Sequence, residues 1–256
     1  SRQGFSVSLS ADGNTAIVGG DRDNSGIGAA WIYTRNGTSW IQQGSKLVGT
    51  GAVGNANQGS SVSISADGNT AIVGGDRDNN EAGSAWIYTR SEGAWSQQGS
   101  KLVGSDVVGN ARQGGSVSLS ADGNTAIVGG ITDTSSSGAT WVYTRSGTAW
   151  SQQGSKVVGA GADGFAQQGR SVSISADGAT ALIGGDGDGA VWIFTIGLNY
   201  AGNGNSGGMV PSATTKENSV SVTVTLASNS GNLEKTGYAF EGWNTAADGS
   251  GISYAE

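Results

Sequence analysis

The chain has 256 residues, 47 of them Gly, with a single Pro and neither Cys nor His. Their absence removes disulfides, thiolate or imidazole zinc sites and the Ser-His-Asp triad, and leaves carboxylates, Lys, Tyr and hydroxyls for any chemistry. A net charge of −7, from 20 acidic and 13 basic residues, argues against nucleic-acid or anionic-membrane binding, since both need clustered Lys and Arg.

Repeats organise most of the chain. QGFSVSLSADGNTAIVGG begins at Gln3, and close copies begin at Gln58, Gln113 and Gln168, each 55 residues after the last. Within each copy SVSLS alternates apolar and small polar residues, as a strand does. The Asp-Gly of ADGNT predicts a tight hairpin with positive φ at both central residues. TAIVGG is a short apolar run, read as a strand buried on both faces. A polar, Gly-rich loop leads to a third strand, AWIYTR at Ala30–Arg35 and Ala85–Arg90, TWVYTR at Thr140–Arg145 and VWIFT at Val191–Thr195. A turn then opens a fourth, read as running through WIQQGSKLVG or its equivalents, which the last copy lacks.

Four short strands repeated in tandem at this length are the pattern of β-propeller blades. The expected fold is therefore all-β: a propeller of four visible four-stranded blades over 1–197, forming a ring or an open arc. Trp31, Trp86, Trp141 and Trp192 hold one equivalent place and are expected in the core between blades. Residues ahead of Ser1 are expected to supply the strand missing from the fourth unit, and Ser1 in place of an initiator Met points to a fragment or processed product.

The string G-x-S-V-S-[LI]-S-A-D-G-x-T-A-[IL]-[VI]-G-G, followed by [AT]-W-[IV]-Y-T-R and W-x-Q-Q-G-S-K-[LV]-V-G, resembles the FG-GAP repeat, in the bacterial variant with an A-D-G-N-T turn. The resemblance covers residues 3 to about 195 and implies a propeller used for extracellular adhesion, as in the integrin α-chain head. Integrin-type repeats carry a calcium loop, D-x-D-x-D-G-x-x-D, between the first two strands. Here that loop is Ala11-Asp12-Gly13-Asn14 and its copies, with too few oxygens for six to eight calcium ligands. No cofactor and no metal is expected.

The loop after the second strand carries Asp21 and Asp23, Asp76 and Asp78, Asp133 alone, then Asp186 and Asp188. D-x-D spacing can place two carboxylates on one cation; the plainer reading is a solvated turn in which Asp bonds the local backbone. These loops are the expected ligand-binding face, since loop faces carry binding. Trp40, Trp95 and Trp150 follow a turn and are candidate rim residues for sugar stacking. A glycosidase needs two converging acids, but the repeat acids recur by symmetry and the others, Glu81, Glu92 and Asp163, are scattered in loops. An enzyme is not expected.

From Leu198 the text changes. SVSVTVTL (Ser219–Leu226) alternates strictly and reads as a strand; GYAFEGW reads as another, with Tyr238, Phe240 and Trp243 as core candidates. Tyr200, Asn203-Gly204, Pro211, Lys235, Gly237-Tyr238-Ala239-Phe240, Gly242-Trp243-Asn244, Asp248-Gly249-Ser250-Gly251 and Tyr254 make residues 198–256 resemble the Listeria–Bacteroides repeat, the internalin B-type B repeat. That resemblance implies a small β-grasp-like module in a bacterial surface protein, here cut short after Glu256. The expected function is non-catalytic: adhesion or recognition of an extracellular protein or glycan, outside the cell or on its surface, with no membrane insertion by this chain. The alternatives are a structural spacer in a surface array and a carbohydrate-active enzyme.

Overall fold

The computed structural model describes residues 2–162, 164–187, 189–198, 214–216, 243–244 and 253–254. Cα packing divides the chain into two compact units, Ser1–Phe194 and Thr195–Glu256. The strands are β1 (Ser6–Leu9), β2 (Thr15–Gly20), β3 (Ala29–Asn36), β4 (Ser39–Gln42), β5 (Ser61–Ile64), β6 (Thr70–Gly75), β7 (Ser84–Ser91), β8 (Ala94–Gln97), β9 (Gln113–Leu119), β10 (Thr125–Gly130), β11 (Ala139–Ser146), β12 (Ala149–Gln152), β13 (Ser171–Ile174), β14 (Thr180–Gly184), β15 (Val191–Leu198) and β16 (Thr214–Lys216). They form four antiparallel sheets in simple chain order, β1–β4, β5–β8, β9–β12 and β13–β16. The protein is all-β, with one four-stranded sheet for each of the first three repeats and a fourth sheet whose last strand, β16, lies beyond the last repeat.

The unit boundary falls inside β15. In the second unit β15 pairs with β16 through Thr195↔Lys216 and Leu198↔Thr214. β17 (Trp243–Asn244) pairs with β18 (Ser253–Tyr254). The strand expected over Ser219–Leu226, and Tyr238 and Phe240, lie outside the described residues.

Each β1–β2 hairpin departs from the expected turn. Only the Gly is left-handed, at φ 65 for Gly13 and Gly123 and 68 for Gly68. Gly13 N donates to Ser10 O at 2.9 Å and Ser10 N to Thr15 O at 2.9 Å, which closes a four-residue loop. Asp12 instead spends its carboxylate on the loop, accepting from Ser10 Oγ (2.6 Å), Asn14 N (2.9 Å) and Asn14 Nδ2 (2.8 Å).

Those bonds, led by Ser10, lower the Asp12 carboxyl to about 2. Asp177 is lowered first by Ser175. At Asp67 and Asp122 burial opposes ionisation, but the Ser and Asn donors outweigh it and the carboxyls still lie low. A depressed folded value means that the added stability is present above the unfolded carboxyl value of about 3.9. It is lost as pH falls through the folded values, about 2 at Asp12. Native tryptophan fluorescence is thus expected to persist on acidification to about pH 4 and to fail only below it; a midpoint above about pH 5 would contradict this role of the turns.

The fourth strand is shorter than expected. β4 ends at Gln42 and Gly44, at φ 72, turns the chain. Leu47 then bridges back to Ala30, with N–O distances of 2.7 and 3.0 Å.

Successive sheets contact each other through equivalent atoms. Ala11 N donates to Ala66 O, Ala66 N to Ala121 O and Ala121 N to Ala176 O, each at 2.9 Å. Ser6, Ser61 and Ser116 each donate from Oγ to the Gly59, Gly114 and Gly169 carbonyls of the next repeat at 2.7–2.9 Å. Trp86 and Trp141 are fully buried between sheets. Gly49 and Gly104 sit against the two indoles so closely that a Cβ at either would overlap the ring. The buried Gln58 side chain clamps Gly49, accepting from its N at 2.5 Å and donating to its O at 3.1 Å. The outer face of the first sheet lacks such cover. Val7 and Leu9 are 69% and 59% exposed, whereas their equivalents Val62 and Ile64 are 8% and 6%. Burial here comes from the neighbouring repeat, not from the sheet itself.

Candidate functional site

The second carboxylate of the first two D-x-D pairs, and Asp133 in the same place of the third repeat, are structural. Asp23 pairs with Lys46, Asp78 with Lys101 (2.5 Å) and Asp133 with Lys156. Asp78 also accepts from Val53 N (2.6 Å) and Ser84 Oγ (2.7 Å), and Asp133 from Val108 N (2.8 Å). The acid is followed by a turn with three consecutive residues of positive φ, Asn79, Asn80 and Glu81 in the second repeat and Thr134, Ser135 and Ser136 in the third. Asn adopts this backbone more easily than Thr does.

The first carboxylate of each pair points elsewhere. Asp21 receives Arg2 (Nη2–Oδ2 2.5 Å), Asp76 receives Arg112 (3.3 Å) and Asp186 receives Arg170 (3.4 Å). Asp21 and Asp23, like Asp76 and Asp78, therefore hold different cations of the chain itself and do not converge on one point. No group of three metal-ligating side chains occurs among the described residues. Asp188 and Asp163 lie outside those residues.

Trp40, Trp95 and Trp150 do not join these loops. They pair with Arg35, Arg90 and Arg145 across β3–β4, β7–β8 and β11–β12, at the ADGN-turn end of each sheet. The Asp loops follow the opposite end of β2 and its equivalents, some five residues or about 17 Å away. Trp95 donates to Gln43 Oε1 of the preceding repeat at 2.9 Å and Trp150 to Gln98 Oε1 at 2.8 Å, each with an Arg 5.6 Å from the ring centroid. They tie repeats together. Trp40 is 44% exposed.

The structure does gather one set of loop residues. A cavity of about 230 Å³ is lined by Arg2, Phe5, Asp21 and Arg22 of the first repeat, Asn57, Ser60, Asp76 and Arg77 of the second, Arg112, Gly115 and Ile131 of the third, and Arg170 of the fourth. Five guanidiniums thus share a wall with two carboxylates, in a chain whose net charge is −7. Burial raises the Asp76 carboxyl, and Arg112 and Arg77 offset this only in part. Glu81 approaches Arg77 (3.8 Å) and Arg112 (4.0 Å) from beside the cavity. Arg22 has no ion pair among the described residues, and the buried Arg112 Nε has no hydrogen-bond partner. A neighbouring groove of about 550 Å³ shares Arg112 and is lined also by Glu81.

The arginines could have been found from sequence by comparing the copies column by column. The Gln3, Gly4, Ser6 and Val7 columns are identical in all four repeats, but the lining columns are not. They read Arg2, Asn57, Arg112 and Gln167; Phe5, Ser60, Gly115 and Arg170; Asp21, Asp76, Ile131 and Asp186; Arg22, Arg77, Thr132 and Gly187. The ADGN turns at the other end scarcely change.

No family model matches the chain. One stretch of 31 residues is 58% identical to part of a protein from Evansella cellulosilytica described as a Gly-rich membrane protein, covering 12% of this chain and 4% of that relative's length. The chain is also similar to the crystal structure of a functionally unknown protein from Desulfotomaculum acetoxidans, with a TM-score of 0.49 and 15% identity over 75% of this chain and 51% of that one. This chain therefore spans about half of that protein. No helix among the described residues is long and apolar enough to cross a membrane.

Proposed function

We propose that residues 1–197 are blades of an FG-GAP-type β-propeller, that 198–256 is an internalin B-type B repeat, and that the chain is a non-catalytic recognition protein outside the bacterial cell or on its surface. Its ligand is an extracellular protein or glycan held on the face bearing the Asp loops. One observation carries this reading: near-identical copies diverge at the residues that all four contribute to a single cavity. Such divergence is what a specialised site requires and what a uniform spacer has no use for. The enzyme alternative finds little support, because Asp21, Asp23, Asp76, Asp78 and Asp133 are all engaged by Arg or Lys.

The test is the full chain incubated on an array of glycans and matrix proteins, with mass spectrometry of the glycans afterwards. Retention with the glycans unchanged is the expected result. Cleaved glycans would replace recognition with catalysis, and an array that retains nothing would favour the spacer.

A further inference from the structure

We infer that the four-repeat cavity is a pocket for the anionic group of an acidic sugar, its carboxylate or sulfate. The inference rests on the recognition reading and names the chemistry of its ligand. Three observations lead to it. The first is charge: arginines dominate the wall of this cavity in an acidic protein. Guanidinium is the donor suited to planar, bidentate recognition of oxyanions. The second is unused donor capacity. Arg22 has no ion pair among the described residues, and Arg112 buries its Nε without an acceptor. The Arg22 guanidinium is therefore the one free to take an incoming oxyanion. The third is divergence: the Arg22 and Arg112 columns change between otherwise matching repeats.

Size and polarity narrow the class. A cavity of about 230 Å³ is below the ~300–1,000 Å³ of pockets that engulf a whole small molecule. It fits one group of a larger ligand, and the groove beside Arg112 gives the remainder a path. Asn57 and Ser60 set neutral hydrogen-bonding groups next to the arginines, the combination that a sugar bearing both hydroxyls and an anion would use. Asp76 works against the anion from the same wall, and removing its charge also frees Arg112.

The test is titration calorimetry of the full chain with a hyaluronan tetrasaccharide (carboxylate only), a heparin-derived tetrasaccharide (sulfate and carboxylate), neutral chitotetraose and a tetraglutamate peptide. An acidic sugar is expected to bind and chitotetraose is not; hyaluronan binding identifies the carboxylate, and heparin binding without it the sulfate. Arg22→Gln is expected to weaken binding about three- to tenfold and Arg22→Gln with Arg112→Gln to abolish it. Asp76→Asn is expected to tighten it by a similar factor, an outcome that misfolding cannot imitate. Chitotetraose binding as well as the acidic sugars, tetraglutamate binding in their place, or acidic sugars indifferent to Arg22→Gln and Asp76→Asn would each overturn the inference. If no acidic probe binds but the array retains a neutral ligand, this inference falls and the recognition reading stands; if the array also retains nothing, both fall.

Discussion

Trp141→Ala is expected to destabilise the Ser1–Phe194 unit by about 3–5 kcal/mol, the usual cost of truncating a fully buried Trp. The ring has no exposed surface and packs among Ile72, Ala85, Leu102, Ala126 and Val128, so the loss is felt on both sides of an inter-repeat interface. Gly104 lies against the ring so closely that a Cβ there would overlap it. The indole also donates from Nε1 to Asp106 Oδ1 at 2.8 Å, and Asp106 in turn accepts from Lys156 N at 2.7 Å, so truncation loosens the loop as well. Trp40→Ala is the contrast. That ring is 44% exposed and is expected to cost under about 1 kcal/mol. Guanidinium titrations followed by far-UV circular dichroism would measure both. A Trp141→Ala loss no larger than that of Trp40→Ala would remove the indole from the interface that joins the repeats.

The strands were legible because hairpins announce themselves locally. Alternation in SVSLS, the Asp-Gly turn and the aromatic WIYTR run each depend on neighbours within a few residues. The turn type was not legible, because Asp12 had a better use for its carboxylate than a left-handed backbone. The placement of Trp40 was readable in principle. A chain that reverses at every strand returns β4 to the ADGN end, which separates Trp40 from Asp21. The ion pairs lay further off. Asp23, Asp78 and Asp133 each precede Lys46, Lys101 and Lys156 by 23 residues, across two strands and a turn. The third repeat reads Ile131-Thr132-Asp133 and carries one acid where the others carry two. It keeps the acid that Lys156 needs and loses only the one facing the cavity. The two acids of the motif do separate jobs.

That separation of roles makes Lys101→Met the second large effect. The Asp78 side chain is 1% exposed while that of Lys101 is 20%. Methionine keeps most of the stem but removes the cation, leaving a buried carboxylate with only Val53 N and Ser84 Oγ as donors. Stranding a buried charge in this way costs about 3–5 kcal/mol. Asp78→Asn should cost less, because the amide oxygen can still accept from Val53 N and the more exposed ammonium of Lys101 can turn to water. The double variant, Lys101→Met with Asp78→Asn, should recover part of the Lys101→Met loss, since the charge that was stranded is gone. Thermal and chemical denaturation of the four proteins closes this cycle, and the coupling it yields is the interaction itself. An additive cycle, or an Asp78→Asn loss exceeding that of Lys101→Met, would show that the acid is held by its neutral donors and that the lysine is incidental. The same substitutions at Asp133 and Lys156 should repeat the result, because the 0% and 17% exposures there reproduce the asymmetry. At Asp23 and Lys46, exposed at 15% and 41%, solvent should reduce the effect to about 1 kcal/mol.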